Sequence, residues 1–207
     1  SSSGDRFEQA PPPAGAFEMA HVWRLASVTA GSGAALAAVD LKAFTTPWPS
    51  ERFETLLRQP NVSTRVAVSE QGSLGYFMVE HGAEREGADY LTSLGVIPQA
   101  QGKKVGERLF LEAVKTSRAS GAPACWLHVD VTNLGAMRLY EKYGFEVAGL
   151  LPNNYPEDGH DGYEMVLGDL QSPTVGSRLA ELESKLDAAI RGCRPLPSER
   201  HVVCPRG

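Results

Sequence analysis

The sequence predicts one mixed α/β (α+β) domain in which helices flank a central sheet. Between Arg65 and Ile97, short apolar runs alternate with a period of two residues, which is typical of an antiparallel meander. After Pro98 the apolar period changes to about 3.6 residues, and a strand-like run follows at 124–131. A strand, a crossover helix and a second strand usually become parallel neighbours. We therefore expect a sheet whose first half is antiparallel and whose second half contains a parallel pair.

Composition limits the kind of protein. At 207 residues with 42% hydrophobic positions, the chain suits one packed domain with tails. The formal net charge of −5 gives no basic field, so we expect no nucleic acid partner. The three scattered cysteines predict neither a disulfide framework nor a zinc site, and no apolar run reaches the length of a transmembrane helix. These features favour a cytoplasmic protein, and association of the C-terminal tail with a membrane surface stays open.

We expect the domain at residues 19–171, between two extensions. Residues 1–18 are rich in Ser, Pro and Gly, and they offer too little apolar surface to offset the entropy of ordering, which predicts a disordered tail. Residues 172–207 are predicted to form a C-terminal helix followed by a tail that is loose beyond Cys193. Four apolar residues recur at helical spacing in that helix: Leu179, Leu182, Leu186 and Ile190. The helix either packs on the domain or a second copy, or it binds a partner or a membrane surface.

The elements inside the domain follow from local patterns. Strands are predicted at 21–28, 65–69, 74–80, 90–97, 124–131, 145–150 and 162–167. Helices are predicted at 31–43, at 51–57, from after Pro98 to about Gly121, and at 133–143. The segment from Phe44 to Ser50 contains two prolines and two aromatic residues, so it is expected to be a rigid loop whose apolar side chains line something.

Small and basic residues lie between the end of one strand and the start of the next helix, from Val96 to Gly106. The first N–H groups of a helix are free of intrahelical partners, and together with the helix dipole they favour phosphate oxygens. Lys103 and Lys104 add positive charge there. An ordinary turn has a similar composition, so this segment alone does not establish a phosphate site.

Two motifs in this region resemble those of the GNAT superfamily of acetyltransferases. Residues 96–109 resemble V-x-P-x-x-[QR]-x-x-G-x-[GA], with Gln101 and Gly106 in place and Lys104 where the middle glycine usually stands. Residues 133–145 resemble the second signature, at the usual distance of about thirty residues. The resemblance covers about residues 20–170. It implies the GNAT fold, with acetyl-CoA as cosubstrate in a cleft where the strands of Tyr90 and His128 splay apart.

Within that superfamily, the strands at 90–96 and 127–133 resemble those of the NatE- and NatF-type catalytic protein N-alpha-acetyltransferases. This resemblance implies catalytic roles for Tyr90 and His128, and Tyr140 as the donor of a proton to the departing CoA thiolate. It also implies that a backbone N–H near Val96, at a bulge of the strand, stabilises the oxyanion.

The resemblance further implies two sets of binding residues. The cofactor-binding residues would be Leu94, Gly95, Val96, Gln101, Gly102, Lys103, Lys104, Val105, Gly106, Asn133, Ala136 and Tyr140. The substrate-binding residues would be Phe44, Thr46, Trp48, Thr92 and Tyr155. The Lys104 side chain is expected to point outward, away from the phosphates.

The function that these expectations favour is transfer of an acetyl group to the free N-terminal amine of proteins, with Met-starting termini as the expected substrates. An amine must lose a proton before it attacks a thioester, and a histidine is a suitable base near neutral pH. Protein N termini are the expected partners, and a ribosome-associated auxiliary subunit stays open.

Three alternatives remain: acetylation of lysine side chains, acetylation of a small-molecule amine, or a non-catalytic CoA-binding module. Polyamine and aminoglycoside enzymes need carboxylates in the acceptor cleft, and the strand between Asp89 and Val96 carries none, which disfavours them. The cluster Glu157, Asp158, His160 and Asp161 is expected to be a solvated turn, so no metal is expected.

Overall fold

The computed structural model describes residues 21–191 and 202–204, and an eight-stranded sheet runs through them in the order β6-β7-β5-β4-β3-β2-β1-β8. The strands are β1 (His21–Ser27), β2 (Val62–Ser69), β3 (Gly72–Glu80), β4 (Asp89–Val96), β5 (Cys125–Asp130), β6 (Glu146–Tyr155), β7 (His160–Leu167) and β8 (Val202–Cys204). The helices are α1 (Gly33–Ala43), α2 (Ser50–Leu57), α3 (Val105–Ala119), α4 (Leu134–Tyr143) and α5 (Pro173–Arg191). Two short 3-10 helices lie at Arg85–Gly87 and Pro98–Ala100.

The predicted mixed sheet is confirmed. Strands β1 to β4 form an antiparallel meander, and the β2–β3 hairpin turns at Gly72, whose φ of 113° is open to glycine. Helix α3 then crosses over and returns the chain as β5, parallel to β4. The β4–β5 ladder pairs Asp89–Leu91 with Cys125–Leu127 and stops there. The two strands splay beyond that point, which opens the sheet where the candidate site residues lie.

Helix α5 packs on the domain, which was one of the alternatives for the C-terminal helix. Its apolar residues Leu179, Leu182, Leu186 and Ile190 are all buried in the main core. Charged pairs flank this apolar face: Arg108 of α3 bridges to Asp187, and Lys115 donates to Glu183 at 2.7 Å. The apolar stripe is therefore covered by the domain itself and is not an open surface for a partner or a membrane.

Two segments differ from expectation. Strand β6 continues through Asn154 to Tyr155, which the sequence placed in a loop, because Tyr155 pairs with His160 across the turn. In the C-terminal tail, expected to be loose, Val202–Cys204 pairs antiparallel with β1. That pairing satisfies backbone groups on the otherwise open edge of β1, and β-branched valines suit a strand. The predicted N-terminal tail, residues 1–18, lies outside the described residues, as do residues 192–201.

Among the helices of the described residues, none combines the length and the apolar character needed to cross a membrane.

Candidate active site

A cleft of about 730 Å³ opens where β4 and β5 diverge. The α1–α2 loop forms one wall, the ends of β4 and β5 form the floor, and the end of β6 forms the opposite wall. Nine of the residues singled out in the sequence line it: Phe44, Thr46, Trp48, Thr92, Leu94, His128, Asn133, Tyr140 and Tyr155. Fold topology therefore brings together side chains that lie more than 100 residues apart in sequence.

Tyr90 and His128 form a pair on the floor of this cleft. Their ring centroids lie 5.2 Å apart at an interplanar angle of 68°, an edge-to-face contact. Tyr90 pairs with Trp126 in the parallel ladder, so His128, two residues further on, projects from the same face. His128 reaches the cleft wall, whereas Tyr90 lies behind it, outside the lining residues. Burial, and then the charges of nearby Tyr155 and glutamates, raise the pKa of Tyr90, so its hydroxyl stays protonated and can donate a hydrogen bond.

Glu164 is a neighbour of His128 that the sequence analysis missed. It stands directly opposite His128 in the β5–β7 ladder, with Oε1 3.9 Å from His128 Nε2. This distance is too long for a hydrogen bond but places a carboxylate where an imidazolium would form. The period-two alternation of β7 could have placed Glu164 on a face, but only the register shows which residue it faces.

Tyr140 reaches the cleft from α4 on the other side of the sheet. Its ring packs on Phe110 with centroids 4.7 Å apart, and burial raises its pKa, so the phenol keeps its proton. Asn133 begins this helix: its side chain accepts a hydrogen bond from the Ala136 N–H at 3.1 Å. The side-chain oxygen of Asn133 therefore caps α4, and Ala136 does not line the cleft.

The bulge of β4 lies at Thr92 and not near Val96, where the resemblance placed it. Met78 pairs with Ser93 and Val79 with Leu91, which leaves Thr92 as the extra residue. The Thr92 hydroxyl donates to Glu80 at 2.7 Å. Gln101 Nε2 donates to the Val96 carbonyl at 3.3 Å, although the next residue, Ile97, bonds to β3. Because successive residues of a strand direct their backbone groups to opposite sides, the Val96 N–H points away from β3, towards the splayed side.

Asp40 on α1 is the most buried polar residue of the cleft, with 2% of its surface exposed, and sequence analysis did not single it out. One of its oxygens accepts the Trp48 N–H at 2.6 Å, and the other accepts the Tyr76 hydroxyl at 2.5 Å. The Tyr76 hydroxyl also pairs with Ser93 Oγ at 2.8 Å. Asp40 therefore ties the α1–α2 loop to β4 just after the bulge.

The α1–α2 loop approaches β4 closely at a glycine. A Cβ on Gly95 would lie 2.9 Å from Phe44 Cε2, so only glycine admits this contact. On the outer side of the loop, the Arg52 guanidinium stacks 3.6 Å from the centroid of Trp48. The loop is thus held at both aromatic residues that the sequence proposed for substrate binding.

The segment from Gln101 to Gly106 joins β4 to α3 and leaves backbone donors open. In the described residues, no side chain caps α3, and the N–H groups of its first three residues bond to no backbone acceptor. Gly102 and Lys104 both have left-handed backbones, with φ of 73° and 63°. Lys104 Nζ lies 3.1 Å from Glu107, so its side chain turns along the helix surface, outward as expected. These donors fit phosphate oxygens.

Replacing Lys104 with glycine is expected to stabilise the fold slightly. A left-handed backbone costs a non-glycine residue about 1 kcal/mol or more, and the exposed Lys104–Glu107 pair offsets little of that. We expect the free energy of unfolding of Lys104→Gly to rise by about 0.5–1 kcal/mol in urea titration. Lys103→Gly is the matched control, since its φ is not left-handed, and it should lose stability. A loss for Lys104→Gly equal to that of the control would show that its backbone is not strained.

The acceptor end of the cleft is acidic. Its lining includes the carboxylates Asp40, Asp130, Glu157 and Asp158, against one cationic residue, Arg52. His160, expected in a solvated turn, instead pairs through Nδ1 with Asp130 Oδ2 at 2.8 Å. Within the part of the chain that the structure describes, no group of three or more His, Cys, Asp or Glu residues is arranged to hold a metal ion.

Comparisons with known proteins agree with this geometry. Residues 34–145 match the model of the acetyltransferase (GNAT) family. The chain is 30% identical over 120 residues to the N-alpha-acetyltransferase RimI of Mycobacterium tuberculosis, covering 58% of this chain and 74% of that protein. It is 39% identical over 82 residues to a mycothiol acetyltransferase of Acidothermus cellulolyticus, covering 40% of this chain but 24% of that protein. The structure resembles the ribosomal-protein-S18-alanine N-acetyltransferase of Escherichia coli, with a TM-score of 0.64 and 21% identity, covering 71% of this chain and 94% of that one.

Proposed function

The chain belongs to the acetyltransferase (GNAT) family, and from that premise we propose that it uses acetyl-CoA to acetylate the free N-terminal amine of peptide chains. The observation that carries the proposal is the Tyr90–His128 pair, which lies at the point where the splayed strands open into a cleft. The similarity to an N-alpha-acetyltransferase over 74% of that relative's length supports the same acceptor.

The residues of the cleft divide the proton transfers between them. The acetyl thioester supplies the electrophile; the amine nitrogen forms the new C–N bond while the C–S bond breaks. His128 takes the proton that the amine must lose, directly or through a water, and the neutral Tyr90 hydroxyl orients that amine or water. Tyr140, kept protonated by burial, donates a proton to the departing sulfur. The Val96 N–H is the candidate donor to the oxyanion.

The cosubstrate would be held at the start of α3. The open N–H groups of Val105, Gly106 and Glu107 are suited to the pyrophosphate, and the Lys104 side chain is turned along the helix, so it does not block them. Phe44, Trp48 and Tyr155 surround the opposite end of the cleft, where the first residues of the acceptor peptide would lie.

Acetylation of a small polyamine is the second candidate. The sequence argument against it was the lack of carboxylates on the Tyr90 strand, but other elements supply them: Asp40 from α1, Asp130 from β5, and Glu157 and Asp158 from the β6–β7 turn. Their charge favours a cationic acceptor of either kind. The acceptor must therefore be decided by experiment.

The test is transfer from labelled acetyl-CoA to short peptides that differ in one feature at a time. The panel contains Ala-, Ser-, Met-Leu- and Met-Lys-starting peptides with free N termini, the same peptides with blocked N termini, a blocked peptide bearing lysine, and spermidine. We expect label only on free N termini, and the ranking of the peptides would show whether Met is preferred. Label on spermidine or lysine alone would overturn the proposed acceptor.

A further inference from the structure

A second cavity, of about 230 Å³, lies on the other side of the segment that starts α3. We call it the Lys42–Lys103 cavity. Its lining residues are Trp23, Lys42, Gln71, Ser73, Leu74, Ile97, Gln99, Ala100, Lys103 and Val105. Four of these belong to the stretch from Gln99 to Val105 that carries the proposed pyrophosphate site, yet the cavity shares no lining residue with the main cleft.

The wall of this cavity is cationic in a protein of net negative charge. It contains two lysines and no aspartate or glutamate, although the whole chain has a formal net charge of −5. Lys103 is half-buried, and Lys42 ends α1 with an exposed side chain. An uncompensated ammonium pair facing one small space raises the local concentration of anions.

The remaining wall suits a flat, apolar body with polar edges. Trp23, Leu74, Ile97 and Val105 provide apolar surface, and the amides of Gln71 and Gln99 flank it. Trp23 is 4% exposed, and its indole Nε1 has no hydrogen-bond partner within the described residues. An unpaired buried donor is uncommon in native proteins, and a bound acceptor nearby is one way to satisfy it.

We infer that the Lys42–Lys103 cavity binds the phosphate monoester of a nucleotide, with Lys42 and Lys103 on the phosphate and the apolar wall against the base. Two sources share this chemistry: the 3′-phosphoadenosine end of the proposed cosubstrate, which would lie next to its pyrophosphate, and a free nucleotide. The first source rests on the proposed use of acetyl-CoA. Lys42 lies on α1, outside both cofactor motifs, so this role separates it from the residues that the family resemblance implies.

The test is a calorimetric comparison of coenzyme A with 3′-dephospho-coenzyme A, which differ only in the phosphate monoester. We expect the wild type to bind coenzyme A about tenfold to a hundredfold more tightly, the range for charge-assisted contacts. Lys42→Ala should bring this ratio close to one without changing the affinity for the dephospho form. Lys185→Ala, an exposed lysine on α5 whose partner is Glu181, is the control and should keep the wild-type ratio.

A second titration separates the two sources. Adenosine 3′,5′-bisphosphate is added to enzyme saturated with 3′-dephospho-coenzyme A, in the wild type and in Lys42→Ala. Lys42-dependent binding in this titration would identify a free nucleotide as the occupant. A Lys42-dependent ratio without such binding would identify the cosubstrate's own phosphate. If neither measurement depends on Lys42, or if Lys42→Ala weakens both forms of coenzyme A equally, the inference is wrong. Because these readouts are affinities, they stand even if the acceptor proposed above fails.

Discussion

Replacing His128 with alanine is expected to lower kcat for acetyl transfer by about a hundredfold or more, with coenzyme A affinity nearly unchanged. General-base assistance contributes about 10²- to 10⁴-fold to such reactions, and His128 lies on the cleft floor, apart from the open donors at the start of α3. Steady-state kinetics with the preferred acceptor give the loss in kcat, and calorimetry gives the affinity.

A histidine near the same cleft provides the matched control. His160 pairs with Asp130 but does not line the cleft, so His160→Ala removes an imidazole and one side-chain hydrogen bond without removing the proposed base. We expect kcat to change by less than about tenfold. Equal losses in the two variants, or a loss of coenzyme A affinity in His128→Ala that matches its loss of rate, would contradict the role of His128 as base.

Replacing Asp40 with alanine should reduce both stability and acceptor use. The change leaves the Trp48 N–H without its acceptor in a buried position and opens a space beneath the α1–α2 loop, which together should cost about 3 kcal/mol of unfolding free energy. Because the loop that carries Phe44 and Trp48 loses its tie to β4, kcat/KM for the acceptor should fall about tenfold or more. Urea titration and acceptor kinetics are the measurements.

Asp40→Asn keeps the shape and one acceptor oxygen, so it separates charge from packing. Burial raises the pKa of Asp40 above its usual value, against weaker opposing effects of Tyr76, Trp48 and Arg52. A carboxyl with a raised folded pKa stabilises the fold below its unfolded pKa, near 4, and loses that stabilisation as pH rises through the folded pKa. Asn does not titrate, so the stability of Asp40→Asn relative to the wild type should rise from pH 4 to pH 7. A relative fall would show that the Asp40 carboxylate is favoured by folding.

Local pattern was sufficient to predict most elements. Periodicity placed the strands and helices between His21 and Leu167 within a few residues, since amphipathic alternation follows directly from which side chains can be buried. It failed at the end of β6, because a hairpin extends as far as its partner strand offers backbone groups. The strand Val202–Cys204 was missed for the same reason: three residues have no period, and only the open edge of β1 makes them a strand.

The candidate site divides in a similar way. The two motifs and the Tyr90 and His128 strands could be read from residue types and spacing, because a strand end, a turn and a helix start are local. The position of the bulge could not be read, since Thr92 is an extra residue only relative to the register of β3. Asp40 and Glu164 were missed because their partners, Trp48, Tyr76 and His128, become neighbours only through loop and sheet packing.

By itself, therefore, the sequence determined the class of fold, the helix start suited to phosphates and the pair of side chains proposed for catalysis. The tertiary structure alone decided the sign of the charge around the acceptor, the anchoring of the substrate loop through Asp40 and the existence of the Lys42–Lys103 cavity. The physical reason is range: backbone conformation and burial pattern depend on near neighbours along the chain. Electrostatic fields, buried hydrogen bonds and cavities depend on residues that only the completed fold brings within a few ångströms.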